Sequence, residues 1–222
     1  HHLHAEQALA AIAAGKHVSL QKPPTRTLAE LDRVAAAAVG ADVRVRVLEN
    51  FMWYPPHRLA RALVEAGEIG DVLSVRILTA LGRAGAGQGW DVPAGALGWR
   101  MDPARCGGGM VTFDHGYHCF QLGRLFVPDP VEVVHAFINV VRTGDGGEID
   151  VPALVTWRYT GAPRFGSWEV VASLDLEVRS RYYVSDDRLE LRGTRGVLWV
   201  SRCTGKLLDE PPVVLYRDGE TR

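Results

Sequence analysis

The order of the elements in the first fifty residues constrains the fold of this chain more than any other feature of its sequence. An Ala-rich helical segment at 4–14 is followed by a short predicted strand at 17–21. Thr27 opens a second predicted helix, and VRVRVL at 43–48 alternates between apolar and charged residues as a strand does. Helices that connect successive strands form right-handed crossovers, so the sequence predicts a parallel sheet at this end of the chain.

After residue 50 the pattern changes to runs of the β type. One helix is predicted after the proline pair at 55–56 and another after the three glycines at 107–109. The predicted strands lie at 72–81, 131–142, 151–159, 168–178, 182–191, 197–202 and 213–216. Consecutive strands of this kind favour a large, mostly antiparallel open sheet flanked by helices. We therefore expect an α/β part at 1–49 and an α+β domain at 50–222.

Composition and charge exclude two classes of partner. The 222 residues include 25 Lys and Arg against 26 Asp and Glu, a formal net charge of −1, and no long basic run that could neutralise a row of phosphates. The apolar runs are far shorter than the roughly 20 residues that a membrane span needs. We expect neither nucleic acid nor a membrane as a partner. Cys106, Cys119 and Cys203 form no CxxC pair, which predicts a reducing, cytoplasmic setting.

Lys22 is the first candidate for a chemical role. It stands where the predicted strand 17–21 ends, and the ligands of parallel sheets bind beyond the carboxyl ends of the strands. Pro23 restricts the Lys22 backbone to extended conformations, which fixes the direction of the amine. The alternative is an ordinary solvent-exposed lysine in a loop.

Asp114 and His118 are the second candidate. On a helix over 110–125 they are four residues apart and share a face. A carboxylate beside an imidazole orients the ring and raises its pKa, which suits proton transfer. The predicted buried stripe of this helix consists of Met110, Phe113, Tyr117 and Phe120. The alternatives are a capping Asp with a structural His, and a metal site that adds His115; the spacing matches no zinc signature, so we predict no metal.

Four segments carry a family resemblance when they are taken in order. They are AAGKHVSLQKP (13–23), EAGEIGDVLSVR (65–76), WRMDPARCGGGMVTFDHGYH (99–118) and LELRGTRGVLWV (189–200). Together they resemble the Gfo/Idh/MocA family of NAD(P)-dependent oxidoreductases over almost the whole chain. The resemblance implies that 1–49 is the C-terminal part of a Rossmann-type dinucleotide-binding domain and 50–222 the substrate-binding and catalytic domain.

The resemblance also implies the chemistry, which is hydride transfer between a sugar or polyol carbon and NAD or NADP. Lys22, Asp114 and His118 match the family's catalytic group. His118 would take the hydroxyl proton, Asp114 would orient and charge-stabilise His118, and Lys22 would hydrogen-bond the reacting oxygen or relay the proton. The substrate-pocket candidates are Trp99, Arg100, Asn50 and Tyr54, and the cofactor-side candidates are Gln21, Lys22 and Pro23.

Two departures from the family pattern matter. Gln21 stands where the family usually has Glu, which removes a negative charge beside Lys22. The strand, glycine-rich turn and helix that bind the pyrophosphate are absent, and the glycines at 85–89 lack the spacing of such a turn. The chain starts without Met and stops after VVLYRDGETR (213–222), before the C-terminal helical segment that the resemblance implies, so it is expected to be truncated at both ends.

Two other functions stay open from the sequence. One is a glycosidase of the same superfamily that uses bound NAD transiently, and the other is a non-catalytic binding or oligomerisation module. In every case the resemblance implies a homo-oligomer that associates through the open face of the sheet.

Overall fold

Helices and strands alternate at the N-terminal end of the computed structural model, as the sequence predicts. Helix α1 spans His4–Ala13, strand β1 Val18–Leu20, helix α2 Leu28–Gly40 and strand β2 Val45–Val47. Strands β1 and β2 pair in parallel, with Leu20 opposite Val47. The predicted parallel arrangement is therefore confirmed.

The structure describes residues 1–84, 98–142, 146–180, 185–201, 205–206 and 210–222. After β2 the elements are α3 Pro55–Glu65, β3 Val72–Ala84, α4 Pro103–Cys106, α5 Gly116–Phe126, β4 Val131–Ile138, β5 Val141–Arg142, β6 Glu148–Ile149, β7 Ala153–Tyr159, β8 Phe165–Ser180, β9 Ser185–Gly193, β10 Gly196–Ser201, β11 Gly205–Lys206, β12 Val213–Arg217 and β13 Glu220–Thr221. The predicted glycine cluster at 85–89 and Cys203 lie outside the described residues.

The chain divides into two units. The first comprises His1–Asn50, Val92–His118 and Val140–Asp150, and the second comprises Phe51–Asp91, Cys119–Asn139 and Val151–Arg222. The domain boundary expected near Asn50 stays a prediction.

The first unit has a small apolar core between its helices and its strand pair. The buried members are Ala5, Ala8, Ile12, Leu20, Val34 and Ala38. Helix α2 begins where the sequence predicts, because the Thr27 hydroxyl accepts a hydrogen bond from Glu30 N at 3.2 Å. This packing fixes the position of β1. It therefore also fixes where Lys22, two residues after the end of β1, begins the next turn.

One predicted strand is wrong in its extent. The run expected at 131–142 ends as β4 at Ile138, and Val141–Arg142 pairs instead with Glu148–Ile149 in a separate ribbon. Both the backbone and the side-chain N–H groups of Asn139 donate to the Pro152 carbonyl, each at 3.1 Å, at the point where the pairing with β7 ends. Apolar alternation continues through this position and gives no sign of the break.

A nine-stranded sheet dominates the described part of the second unit. Its order is β13-β12-β10-β9-β3-β8-β7-β4, and β11 pairs with β8. All neighbours are antiparallel except β3 and β8, which run in parallel. The predicted large, mostly antiparallel open sheet, preceded by a short Rossmann-like part, is confirmed.

One face of this sheet forms the main core, and α5 packs on it. The Phe120 ring meets the rings of Trp157 and Trp168 edge to face, with centroids 5.9 and 5.5 Å apart. Tyr159 donates its hydroxyl to the Gly123 carbonyl at 3.1 Å, and a Cβ at Gly123 would collide with the Trp157 ring. Aromatic contacts of this kind add to the free energy gained from burial.

The opposite face of the sheet is exposed and mixed in character. Its exposed apolar side chains include Leu154, Val171, Trp199 and Tyr216. Between them lie the ion pairs Arg76–Glu169 at 3.6 Å and Arg192–Glu190 at 2.7 Å. Exposed apolar side chains on a sheet face are a common feature of association surfaces.

Two expectations from composition can be compared with the described residues. Cys106 and Cys119 are buried, and neither belongs to a disulfide bond. In the described ranges, none of the helices has the length and apolar character needed to cross a membrane.

Candidate active site

Lys22 makes an ion pair with Asp114 in the first unit. Its Nζ donates to Asp114 Oδ1 at 2.7 Å and to the Asp114 carbonyl oxygen at 2.9 Å. Pro23 is buried, and its carbonyl accepts a hydrogen bond from His4 Nδ1 at 2.8 Å, which anchors the turn after β1 to α1. An ammonium group has three donors. Two are directed at Asp114, and among the described residues the third has no acceptor.

Arg100 completes the neutralisation of Asp114. Its Nε donates to Asp114 Oδ2 at 3.0 Å, while its guanidinium carbon lies 4.6 Å from the centroid of the Trp99 ring. The His1 Nε2 atom also lies 3.2 Å from Asp114 Oδ1, a contact that is charged only when the imidazole is protonated. Burial alone would raise the pKa of Asp114, but the charge and hydrogen bond of Lys22, with those of Arg100, outweigh burial and lower it. Asp114 is therefore a carboxylate at neutral pH.

The segment that carries Asp114 starts with a π-helical turn at Met110–His115, which leads directly into α5. Asp114 N donates to the Gly109 carbonyl five residues back, at 3.2 Å. Such turns inside helices occur often at functional sites. The helix predicted over 110–125 exists, but its first turn is wider than an α-helical turn.

Asp150 holds the start of this helix from a distant part of the sequence. Its Oδ1 accepts from Val111 N at 2.7 Å, and its Oδ2 accepts from Thr112 N at 2.7 Å and from the Thr112 hydroxyl. A side chain at Gly109 would overlap Asp150 Oδ2, so the last of the three glycines allows this close approach. The carboxylate thus satisfies N–H groups that a helix start leaves unpaired.

The predicted buried stripe of this helix is wrong. Met110, Phe113, Tyr117 and Phe120 are only half-buried, whereas Val111, Asp114, His118, Cys119 and Leu122 are buried. Burial of charged and polar groups is possible here because each is hydrogen-bonded. The spacing of apolar residues contains no information about hydrogen-bonded polar pairs, so it predicts the wrong side chains for the buried face.

The structure pairs His118 with a different acid from the one predicted. His118 Nδ1 lies 2.8 Å from both carboxylate oxygens of Glu49, whereas Asp114 is bound to Lys22 and Arg100. The predicted orientation of His118 by Asp114 is corrected accordingly, because the two cations already take both Asp114 oxygens. A carboxylate neutralised in this way is also poorly suited to bind the metal ion considered above with His115 and His118.

Burial is the main influence on His118. It lowers the pKa of the imidazole, the hydrogen bond that Glu49 accepts raises it, and the electrostatic effects of Lys22 and His115 lower it further. The net result is a lowered pKa, so the ring is neutral at neutral pH. A neutral imidazole can accept a proton.

The remaining candidates are placed as follows. Gln21 is exposed, and its side-chain oxygen accepts from Lys22 N at 2.8 Å. Trp99 and Arg100 are half-buried and contact each other, and Asn50 is exposed. Tyr54 belongs to the second unit, where its ring packs against Phe51 and His57 at 5.1 and 5.8 Å.

Two residues of the site were missed in the sequence. Glu49 follows β2 by two residues, and the carboxyl ends of parallel strands meet at one edge, so the same rule that selected Lys22 was available for it. No local signal marks Asp150, because its role depends on the position of a segment that lies 39 residues earlier.

Two family models match this chain. One is described as the GFO/IDH/MocA C-terminal domain and matches residues 57–199. The other is described as an oxidoreductase family with an NAD-binding Rossmann fold and matches residues 1–49. Together they cover both the strand pair with Lys22 and the segment with Asp114 and His118.

Individual relatives support the same grouping. The 1,5-anhydro-D-fructose reductase of Ensifer adhaerens is 31% identical over 196 residues, which cover 88% of this chain and 53% of that protein. The myo-inositol 2-dehydrogenase of Thermotoga maritima is 28% identical over 213 residues, which cover 93% of this chain and 57% of that protein. The chain thus spans about half the length of the curated relatives it matches.

A solved structure shows the same fold. It is a levoglucosan dehydrogenase in complex with NADH and levoglucosan, which aligns with a TM-score of 0.74 at 25% identity. The alignment covers 99% of this chain and 55% of that one.

Proposed function

Because this chain belongs to the Gfo/Idh/MocA family of oxidoreductases, we propose that it carries the proton-handling groups of an NAD(P)-dependent dehydrogenase that acts on a sugar or polyol hydroxyl. The observation that carries the proposal is the ion pair of Lys22 with Asp114, in the same unit as the Glu49–His118 pair. Relatives with this family match are named as dehydrogenases and reductases, which favours hydride transfer over glycoside cleavage.

The cofactor side of the proposal rests on the carboxyl edge of β1 and β2. Gln21, Lys22 and Pro23 follow β1 at this edge, which is where parallel α/β sheets bind their ligands. An exposed amide and an ammonium group are donors that fit a nicotinamide carboxamide and its surroundings. NAD(P), when bound, supplies the hydride acceptor.

His118 is the proposed general base. Its lowered pKa keeps the ring neutral, and the Glu49 carboxylate at Nδ1 directs the lone pair to Nε2. The hydroxyl proton of the substrate passes to His118 Nε2 as the carbon–oxygen double bond forms. In the reverse direction His118 returns that proton to the carbonyl oxygen.

Lys22 is the proposed ligand of the reacting oxygen. Two of its three N–H groups are held by Asp114, which orients the third. The third N–H group is then available to donate to the reacting oxygen and polarise it. Gln21 beside it adds no competing negative charge.

The substrate class is proposed from Trp99 and Arg100. The Arg100 guanidinium stacks on the Trp99 indole and is also bound to Asp114. The indole and the guanidinium are therefore held together as one surface. Such a surface suits a ligand with hydroxyl groups and an apolar ring face. Asn50 and Tyr54 stay predictions as further pocket residues.

NADH formation tests the function. The natural polypeptide that contains this sequence is incubated with NAD or NADP and with levoglucosan, 1,5-anhydro-sugars and myo-inositol, and the absorbance of the reduced cofactor is recorded. We expect turnover with at least one compound and a fall of about 10²–10⁴-fold in kcat for His118→Ala. Release of free sugar from a glycoside without net NADH, or unchanged turnover of His118→Ala, would contradict the proposal.

We also propose that the open sheet face binds a second copy of this chain. Val171, Leu154, Trp199 and Tyr216 present apolar surface there, and the Arg76–Glu169 and Arg192–Glu190 pairs supply both signs of charge. A surface with both signs is compatible with its own copy across a two-fold axis.

A further inference from the structure

We propose that Glu49, and not Asp114, is the positioning acid for His118, holding the imidazole with its hydrogen on Nδ1 and its lone pair on Nε2. The proposal deepens the proposed function and rests on it only for the role of Nε2 in proton transfer. The contact itself belongs to the first unit and involves no residue outside it.

The geometry of the contact determines the tautomer. Both carboxylate oxygens of Glu49 lie 2.8 Å from His118 Nδ1, and the two side chains are 7% and 9% exposed. A carboxylate has only acceptors, so the hydrogen of a neutral ring must lie on Nδ1. A buried contact of this length holds the ring in one orientation.

Asp114 is committed to other groups. Its Oδ1 accepts from Lys22 and its Oδ2 accepts from Arg100. A direct role for Asp114 at His118 would require breaking one of these charge-assisted bonds in a buried place, which is costly. The two acids therefore have separate partners: Asp114 binds Lys22, and Glu49 binds His118.

The strand register explains why two acid–base sets lie at one edge. Leu20 is opposite Val47, and Leu48 N donates to the Leu20 carbonyl at 2.8 Å. Continuing this register by two residues places Lys22 level with Glu49. Lys22 therefore follows the end of β1 and Glu49 the end of β2 at the same edge of the strand pair. The helix that starts at the π turn carries their partners, Asp114 and His118.

The titratable groups that face His118 are Glu49, Lys22 and His115. Of these only Glu49 favours the protonated ring, while Lys22 and His115 disfavour it. Glu49→Gln removes that single favourable charge and supplies an amide that can either donate or accept. We expect a mixture of tautomers and a further fall of the His118 pKa in this variant.

Imidazole ¹H–¹⁵N NMR of the 222-residue chain tests the proposal without turnover. In the wild type we expect His118 to show the Nδ1–H tautomer, as His4 does through its bond to the Pro23 carbonyl, which serves as an internal reference. Glu49→Gln should show both His118 tautomers and leave His4 unchanged, while Asp114→Asn should leave the His118 tautomer unchanged.

Three results would overturn the proposal. They are an Nε2–H tautomer in the wild type, an unchanged tautomer and titration in folded Glu49→Gln, and a larger effect from Asp114→Asn than from Glu49→Gln. If Glu49→Gln does not fold, the wild-type tautomer still decides. Because the spectra need no substrate, a correct tautomer with no NADH formation would reject the proposed function and leave this inference standing.

Discussion

Asp114 shows how one residue organises the site. Its carboxylate is buried and is bound by Lys22 and Arg100, and its backbone carbonyl also accepts from Lys22. Lys22 is 17% exposed and Arg100 33% exposed, so part of each charge is still hydrated. The sequence pointed to Asp114, but it assigned the wrong partner, because four-residue spacing on a helix suggested His118.

Asp114→Asn is expected to destabilise the chain. Removing one partner of a buried ion pair costs about 3–5 kcal/mol, and hydration of the two cations reduces this to about 2 kcal/mol here. Urea denaturation followed by circular dichroism measures the change in the free energy of unfolding. Asp102→Asn is the control, because an exposed Asn retains the bond to Ala104 N and should cost little. Equal effects of the two substitutions would contradict the role of Asp114.

The histidines make stability depend on pH. Burial lowers the pKa of His118, with Lys22 and His115 acting in the same direction, and burial also lowers the pKa of His4. The unfolded chain therefore binds protons at a higher pH than the folded chain does. The free energy of unfolding should fall as the pH drops below about 6.5, the ordinary value for histidine.

Urea midpoints measured across the range from neutral to weakly acidic pH test this prediction. His118→Asn should make the pH dependence shallower and leave the part that comes from His4. A wild-type midpoint that rises as the pH falls would show that the sign is wrong.

At the scale of elements, the helix that carries Asp114 and His118 depends on a cap from far along the chain. The Asp150 carboxylate accepts hydrogen bonds from two backbone N–H groups and one hydroxyl of the first turn. Gly109, which has no side chain, leaves room for this carboxylate. Helix α2 has instead a local cap, from Thr27 to Glu30 N. The two starts thus allow a direct comparison of a distant cap with a local one.

Asp150→Ala is expected to cost about 3 kcal/mol, because it removes charge-assisted hydrogen bonds and leaves the buried Val111 N–H without its partner. Thr27→Ala, the matched control on α2, should cost about 1 kcal/mol. Denaturant unfolding of both variants gives the two values. A smaller loss in Asp150→Ala than in Thr27→Ala would remove Asp150 from the support of this helix.

At the scale of the whole molecule, the open sheet face is exposed in the described part of the second unit. Val171 lies on it and is 45% exposed. If a second copy binds there, Val171→Asp places a buried, unpaired charge at the interface and should lower the molar mass measured by light scattering after gel filtration. The control is Val39→Asp at an 84% exposed position on α2, which should leave the mass unchanged. A monomeric wild type would reject association.

Much of the fold was predictable from local pattern. The Thr27 cap, the Ala-rich α1 and the alternating β2 are features of neighbouring residues, and they yielded the parallel pair. The alternation in β7 and in residues 187–192 of β9 likewise predicted the sheet, since every second residue is buried there. The break at Asn139 was not predictable in this way, because apolar residues lie on both sides of it.

Neighbouring residues are enough to predict the alternating helices and strands of the first fifty residues, most strands of the large sheet, and Lys22, Asp114 and His118 as candidate site residues. The pairing of the charged groups is set by the folded chain, in which Lys22 binds Asp114 across 92 residues and Glu49 binds His118 across 69. Local patterns report burial and short-range hydrogen bonds, which depend on residues a few positions apart. Pairing of charges over such separations depends on the register of β1 with β2 and on the placement of the π turn, and only the folded chain sets both.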